Sequence, residues 1–402
     1  MKILVINGDC VQTNSSANLC HLAYINGLLK AGYDVSLLSA DGREYNVDPA
    51  MTISPDIKHY TYYGVSFYEK LALQKKKHRV VEKPVAISAQ DSSNLGIKKR
   101  VKKFVLSLYG VHGIYQTFIS KAQSFRSDIV FDYVLSLSTP PSSHLLAHNL
   151  LKAGHIKCRH WIQIWEDPWH GDAYGFNGAD KIRAEEQRLL SFAEKVCYVS
   201  PLTLKNQQEK YPESAHKMFW QPLPFYYKAD PAEQKISDHN RYGYFGDYSP
   251  IARNLEPFYE AAKEAGIEVN ICGNPSSLFA PMEQIHIHPR LPLDQLKPIE
   301  DSTNVLIFLC NRKGGQIPGK IYQYAATDKT ILFIMDGTPE EQNVLREFFG
   351  KFNRFVFCQN AKADILEAIR RIEIGDLGGV ENRPLDDFNP TVTIENILKA
   401  GS

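Results

Sequence analysis

The residues best placed for chemistry lie in NVLIFLCNRKGGQIPGKIYQYAATDKTILFIMDG, residues 304–337. An apolar run ends at Cys310. A loop with Gly314, Gly315, Pro318 and Gly319 follows, and Lys320 opens a helical pattern. A helix start exposes unpaired N–H groups and partial positive charge, and glycine lets backbone approach a ligand closely. An ammonium group there adds a full charge, so the combination suits a phosphate. It is not a G-x-x-x-x-G-K-[ST] loop, because Ile321 follows the lysine. Taken alone, a Gly/Pro loop closed by a surface lysine is an equally good description.

A second stretch points the same way. YFGDYSPIARNLEPF, residues 244–258, places Gly246 in a strand-to-helix turn and Arg253 near the helix start. An arginine there is mildly disfavoured by the helix dipole unless it serves an anion. Arg253 and Lys320 converging from two strand ends suit a diphosphate.

The elements that must hold these groups are legible from periodicity. KILVIN, YDVSLLSA, DYVLSLS, HWIQIWED, KVCYVS and KMFWQPLPF read as strands of a first half, with helices between them at 3.6-residue spacing. YGYFGDY, IEVNICGN, NVLIFLC, TILFIMDG and RFVFCQN restart the alternation. This predicts an α/β protein, with two Rossmann-like domains whose parallel sheets face a cleft. The domains are residues 1–226 and 242–384, with a polar linker at 227–241 and a final helical segment at 385–402 that packs back on the first domain. In such sheets ligands lie beyond the carboxyl ends of the strands.

Composition sets the class. The chain has 402 residues, 44% hydrophobic and 23% charged, as expected of a soluble globular protein. No apolar run reaches bilayer length, and the opening MKILVING is too short for a signal peptide. The seven dispersed cysteines lack a C-x-x-C pair, which predicts reduced structural thiols and a cytoplasmic setting. The net charge of +1 hides an asymmetry: residues 70–103 carry eleven Lys/Arg against Glu82 and Asp91. This basic insertion, with an amphipathic pattern from Ile97 to Leu108, reads either as a solvated arm or as a patch that docks peripherally on an anionic membrane face. Nucleic acid is a poor partner, since the charge is confined to one stretch and no nucleic-acid module accompanies it. NGDCVQTN lacks the G-x-G-x-x-G spacing of a dinucleotide site.

The first half offers polar groups after its strands: Asn7, Asp9 and Asn14; Ser143 and His144; Glu166, Asp167 and Trp169. Asp167 and Glu166 could orient a hydroxyl or accept a proton, and Trp169 could stack on a ligand ring. Equally, Asp167 could cap the turn before Pro168 while Trp169 packs inside. His144, at a helix start, suits a structural role better than a catalytic one. Glu185 and Glu186 read as the solvated face of an amphipathic helix.

These motifs together resemble the GT-B-fold glycosyltransferases, close to glycosyltransferase family 4 of bacterial surface polysaccharide synthesis. IPGKIYQYAATDKTILFIMDG is similar to that family's IPGK-x-Y-E-Y-x-A-x-x-K-P-I-L stretch, and SLSTPPSSHLLAHNLLKAG, WEDPW and KVCYVS extend the likeness over most of the chain. The resemblance implies a nucleotide-diphosphate sugar in the second domain. Arg253, Lys320, Gly246 and Gly319 would lie at the diphosphate, and Gly273, Asn274 and Gln323 at the nucleoside. It also implies a saccharide or polyprenol-linked acceptor in the first domain near Asn7, Ser143, Glu166 and Trp169, with Asp167, His144 and Asp9 as catalytic candidates. Retention without a protein nucleophile, cofactor or metal is the implied chemistry. The chain departs from the family at two points: Gln323 stands where a ribose-binding Glu is usual, and Gly315 where a second acid is. A GT-B nucleotide-sugar epimerase and a non-catalytic nucleotide-sugar-binding protein remain open.

Overall fold

The computed structural model describes residues 1–70, 110–171, 179–226, 240–313 and 315–401. All of the basic insertion but Lys70, nearly all of the linker and Gly314 lie outside the described residues.

Two parallel sheets organise the chain. The first contains β1 (Lys2–Asn7), β2 (Asp34–Ala40), β3 (Lys58–Tyr62), β4 (Val130–Ser138), β5 (Lys157–Trp165), β6 (Lys195–Tyr198) and β7 (Met218–Trp220), in the order β3-β2-β1-β4-β5-β6-β7. The second contains β8 (Arg241–Phe245), β9 (Glu268–Cys272), β10 (Ile285–His288), β11 (Val305–Leu309), β12 (Thr330–Met335) and β13 (Val356–Gln359), in the order β10-β9-β8-β11-β12-β13. In each sheet the order reverses beside the first strand, which opens a crevice at the strands' carboxyl ends. The middle of β1 and all of β11 are apolar because helices cover both faces: Ile3 to Ile6 and Val305 to Leu309 are all buried.

The connecting helices are α1 (Ser16–Lys30), α2 (Gln116–Ala122), α3 (Ser142–Lys152), α4 (Ala179–Phe192) and α5 (Pro201–Lys210) on the first sheet. The second carries α6 (Glu256–Ala265), α7 (Leu293–Asp301), α8 (Lys320–Ala325), α9 (Pro339–Gly350) and α10 (Lys362–Glu373). Among the described residues no helix is long and apolar enough to cross a membrane.

The strand expected over KMFWQPLPF is short. Pro222 and Pro224 cannot donate to a ladder, so β7 stops at Trp220, and the Phe225 N–H is received by the Phe388 carbonyl instead. The helix α11 (Pro390–Ala400), capped by Asn389, returns to the first domain and packs against α1. Tyr133 donates to the Leu398 carbonyl at 3.3 Å, and Ile394 and Ile397 are fully buried.

The helix α4 corrects one expectation. Glu186 does not face solvent; it is fully buried. Its carboxylate accepts from the Trp169 N–H at 3.1 Å, the His170 N–H at 2.8 Å, Gln207 Nε2 at 2.8 Å and Tyr211 OH at 2.9 Å. Four donors compensate the buried charge, which therefore pins the loop after β5. Glu185, largely covered as well, pairs with His112 and Arg188.

Candidate functional site

A cavity of about 410 Å³ lies between the two sheets at their carboxyl ends, within the usual range for a small-molecule site. Its second-domain wall includes Gly246, Arg253, Gly273, Arg290, Gly319 and Lys320. Asn14, Ser16, Cys20, Glu166 and Asp167 line the first-domain side.

Each cation is anchored. Arg253 donates from Nε to Asn311 Oδ1 at 2.7 Å and from Nη1 to the Asp247 carbonyl at 3.0 Å, so neutral oxygens hold its charge. Lys320 Nζ meets Glu300 Oε1 at 2.7 Å. Arg290 pairs with Asp247 at 3.0 Å. The first domain adds the start of α1, where Ser15 caps the Asn18 N–H at 3.1 Å and no acid occupies the first turn. Three cations and the start of α1 thus lie on one cavity whose lining also carries Asp247, Glu166 and Asp167.

Two glycines are dictated by close approach. A Cβ on Gly273 would lie 2.0 Å from the Gly246 carbonyl oxygen, so the loops after β8 and β9 touch through backbone. Gly315 has φ +71°, and a Cβ there would sit 2.9 Å from Leu202 Cβ. Its carbonyl accepts from Ser200 Oγ at 2.6 Å and Thr203 Oγ1 at 3.3 Å, which docks the loop on the start of α5. An acid at this position has no room. Beside it Gln316 Nε2 donates to Asp167 Oδ1 at 2.5 Å, across the cleft.

The opposite wall presents carboxyls. Glu166 lies at the end of β5 with 8% exposure, and burial, then the charge of Asp167, drives its pKa well above the usual range. His21 Nε2 lies 3.3 Å from Glu166 Oε1 without an aligned hydrogen bond. Burial lowers the His21 pKa to about 4. A carboxyl facing the cavity with its pKa raised by burial, beside a buried imidazole, is suited to proton transfer.

Other sequence candidates lie elsewhere. Asp9 does not line the cavity; its Oδ1 accepts from the Cys10 N–H at 2.8 Å, and burial chiefly raises its pKa to about 6. Asn7 is fully buried and donates to the Asp9 carbonyl. Ser143 is buried and donates to the Leu137 and Pro140 carbonyls. Trp169 packs against His112, with centroids 5.0 Å apart. Asn274 is exposed and not among the cavity residues, and Gln323 accepts from the Tyr226 N–H at 3.0 Å. Next to Gly273 the cavity wall is formed by Arg290 and the apolar Leu291, Leu293 and Leu296.

His144, on α3, is enclosed against β4 and β5. Its Nδ1 is 2.8 Å from Ser136 Oγ, its ring is 4.3 Å from that of Trp165, and it does not line the cavity. Burial, with His112 and His21 nearby, pushes its pKa well below 6.5. The folded state therefore refuses a proton that the unfolded chain takes below pH 6.5. Stability from this residue is full above that pH and is lost as pH falls. Thermal melts should show a smaller drop between pH 7 and pH 5 for His144→Gln than for the wild type. Equal slopes would exclude a neutral buried imidazole.

His21, Arg290, Asn311 and Glu300 were not singled out by the sequence. Only His21 carried a signal, as a polar residue at helical spacing from Tyr24, Ile25 and Leu28 of the buried face of α1.

No family model and no curated protein matches the chain. Solved structures match over nearly its whole length. A glycosyltransferase from Rickettsia africae ESF-5 is similar with TM-score 0.54 and 10% identity, covering 99% of this chain and 97% of that one. The S. aureus MnaA–UDP co-structure is similar with TM-score 0.50 and 10% identity, covering 99% and 95%. A UDP-GlcNAc 2-epimerase from Neisseria meningitidis bound to UDP-GlcNAc is similar with TM-score 0.48 and 10% identity, covering 99% and 99%. The fold is GT-B: two Rossmann-like domains facing a cleft.

Proposed function

We propose that the protein is a glycosyltransferase that binds a nucleoside-diphosphate sugar in the interdomain cavity and transfers the sugar to a hydroxyl of a saccharide or polyprenol-linked acceptor. The observation that carries this is that Arg253, Arg290 and Lys320 line one cavity whose opposite wall presents Glu166 and Asp167. The cations stabilise the departing diphosphate by electrostatic preorganisation, so the step needs no metal. Glu166 and Asp167 hold the sugar or acceptor hydroxyl. A phosphate oxygen receives the acceptor proton as the glycosidic bond forms on the same face, which retains the anomeric configuration. Bacterial surface polysaccharide synthesis is the setting suggested by the motifs around Lys320, with the basic insertion as a membrane contact on the cytoplasmic side.

Isothermal titration with UDP, GDP and dTDP tests the premise, with UDP first because the MnaA neighbour of the same fold holds it. One of the three should bind in the micromolar range. Incubation of the matching radiolabelled nucleotide-sugar with a polyprenol-linked acceptor should then give a labelled lipid product, undiminished by EDTA. Interconversion of the sugar without transfer would make the protein an epimerase. Binding with neither reaction would make it a binding protein.

A further inference from the structure

Lys320 is engaged before any ligand arrives. Its Nζ is 2.7 Å from Glu300 Oε1, and the carboxylate is the more enclosed partner, with side-chain exposures of 12% for Glu300 and 32% for Lys320. Glu300 does not drift toward the lysine; it is held. It lies one residue from the end of α7, and Lys329 Nζ donates to the carbonyls of Glu300 and Asp301 there. The same helix turns Leu293 and Leu296 into the cavity. One rigid element thus supplies both apolar lining and a fixed anion beside the cation meant for phosphate. A salt bridge at a cleft wall has a cost in binding: an incoming anion shares the ammonium with the carboxylate and is repelled by it.

We propose that Glu300 is an internal anion that competes with the diphosphate for Lys320, so that it weakens retention of the nucleoside diphosphate and speeds its release. This rests on the diphosphate reading of the cavity given above. Glu300 acts through Lys320 and is a positioning residue. A role confined to holding the lysine in place predicts weaker binding when it is changed, whereas competition predicts tighter binding. The sign of the effect separates them.

The test is titration of the wild type and Glu300→Gln with UDP, GDP and dTDP, and with inorganic pyrophosphate. Glutamine keeps the shape and can accept from Lys320 but removes the charge. The nucleotide that binds the wild type should bind the variant about tenfold tighter at low salt. The gap should shrink at high ionic strength, and dissociation in stopped flow should slow to match. Equal or weaker binding by a folded Glu300→Gln overturns the proposal. Should that variant fail to fold, as a melt would show, Glu300→Asp draws the charge back and should tighten binding by a smaller factor; no tightening there overturns it too. A wild type that binds none of the probes overturns the diphosphate reading and this inference with it.

Discussion

Replacing Lys320 with Ala should weaken nucleoside-diphosphate binding by about 100-fold. Two effects act together. The ammonium's charge-assisted bond to a phosphate oxygen is lost, and the charge of Glu300, 12% exposed, is no longer offset by Lys320 beside the cavity. The double variant Lys320→Ala, Glu300→Gln should therefore recover part of the affinity. Titration with the nucleotide that binds the wild type checks both. Unchanged affinity in Lys320→Ala would remove the lysine from the site. A double variant no better than the single one would show that the carboxylate is silent once the lysine is gone.

Replacing Arg354 with Met should lower stability by about 3 kcal/mol. Arg354 is fully buried and lies outside the cavity, and its guanidinium donates to the carbonyls of Arg383, Thr327 and Lys329 and to Asn382 Oδ1. It ties the segment leading to α11 to the loop before β12. Burial lowers its pKa to about 10, so the charge persists at neutral pH. Methionine fills much of the volume but leaves three backbone acceptors without a donor. Circular dichroism melts should show a loss of roughly 5 °C, with nucleotide affinity retained in the folded variant. A melt within 1 °C of the wild type, on the same scale, would mean that those carbonyls find other donors.

Much of the architecture was legible because buried parallel strands are continuous apolar runs. Ile3 to Ile6 and Val305 to Leu309 allow no other reading between helical patterns. The parts that escaped are those where polar residues sit inside. The strand β10 is IHIH, four residues with two histidines, and α7 contains Pro298. The first alternates but is only four residues long, and the second is interrupted by proline, so Arg290, between them, had no strand end to mark it. His21 and Glu186 occupy buried positions on their helices as polar residues, which burial statistics place outside. Lys320 and Arg253 were found because glycine and helix-start geometry are local properties. Glu300 was not, because its partner lies twenty residues away and the pair exists only once the chain is folded.

The return of α11 onto α1 has a bearing on how the chain is made. The surface of the first domain is completed by residues 390–401, so the apolar side of α1 waits uncovered while the second domain is synthesised. An emerging N-terminal half is therefore a sticky species, prone to self-association or to capture by chaperones. Its maturation is tied to the arrival of the last helix rather than to its own length.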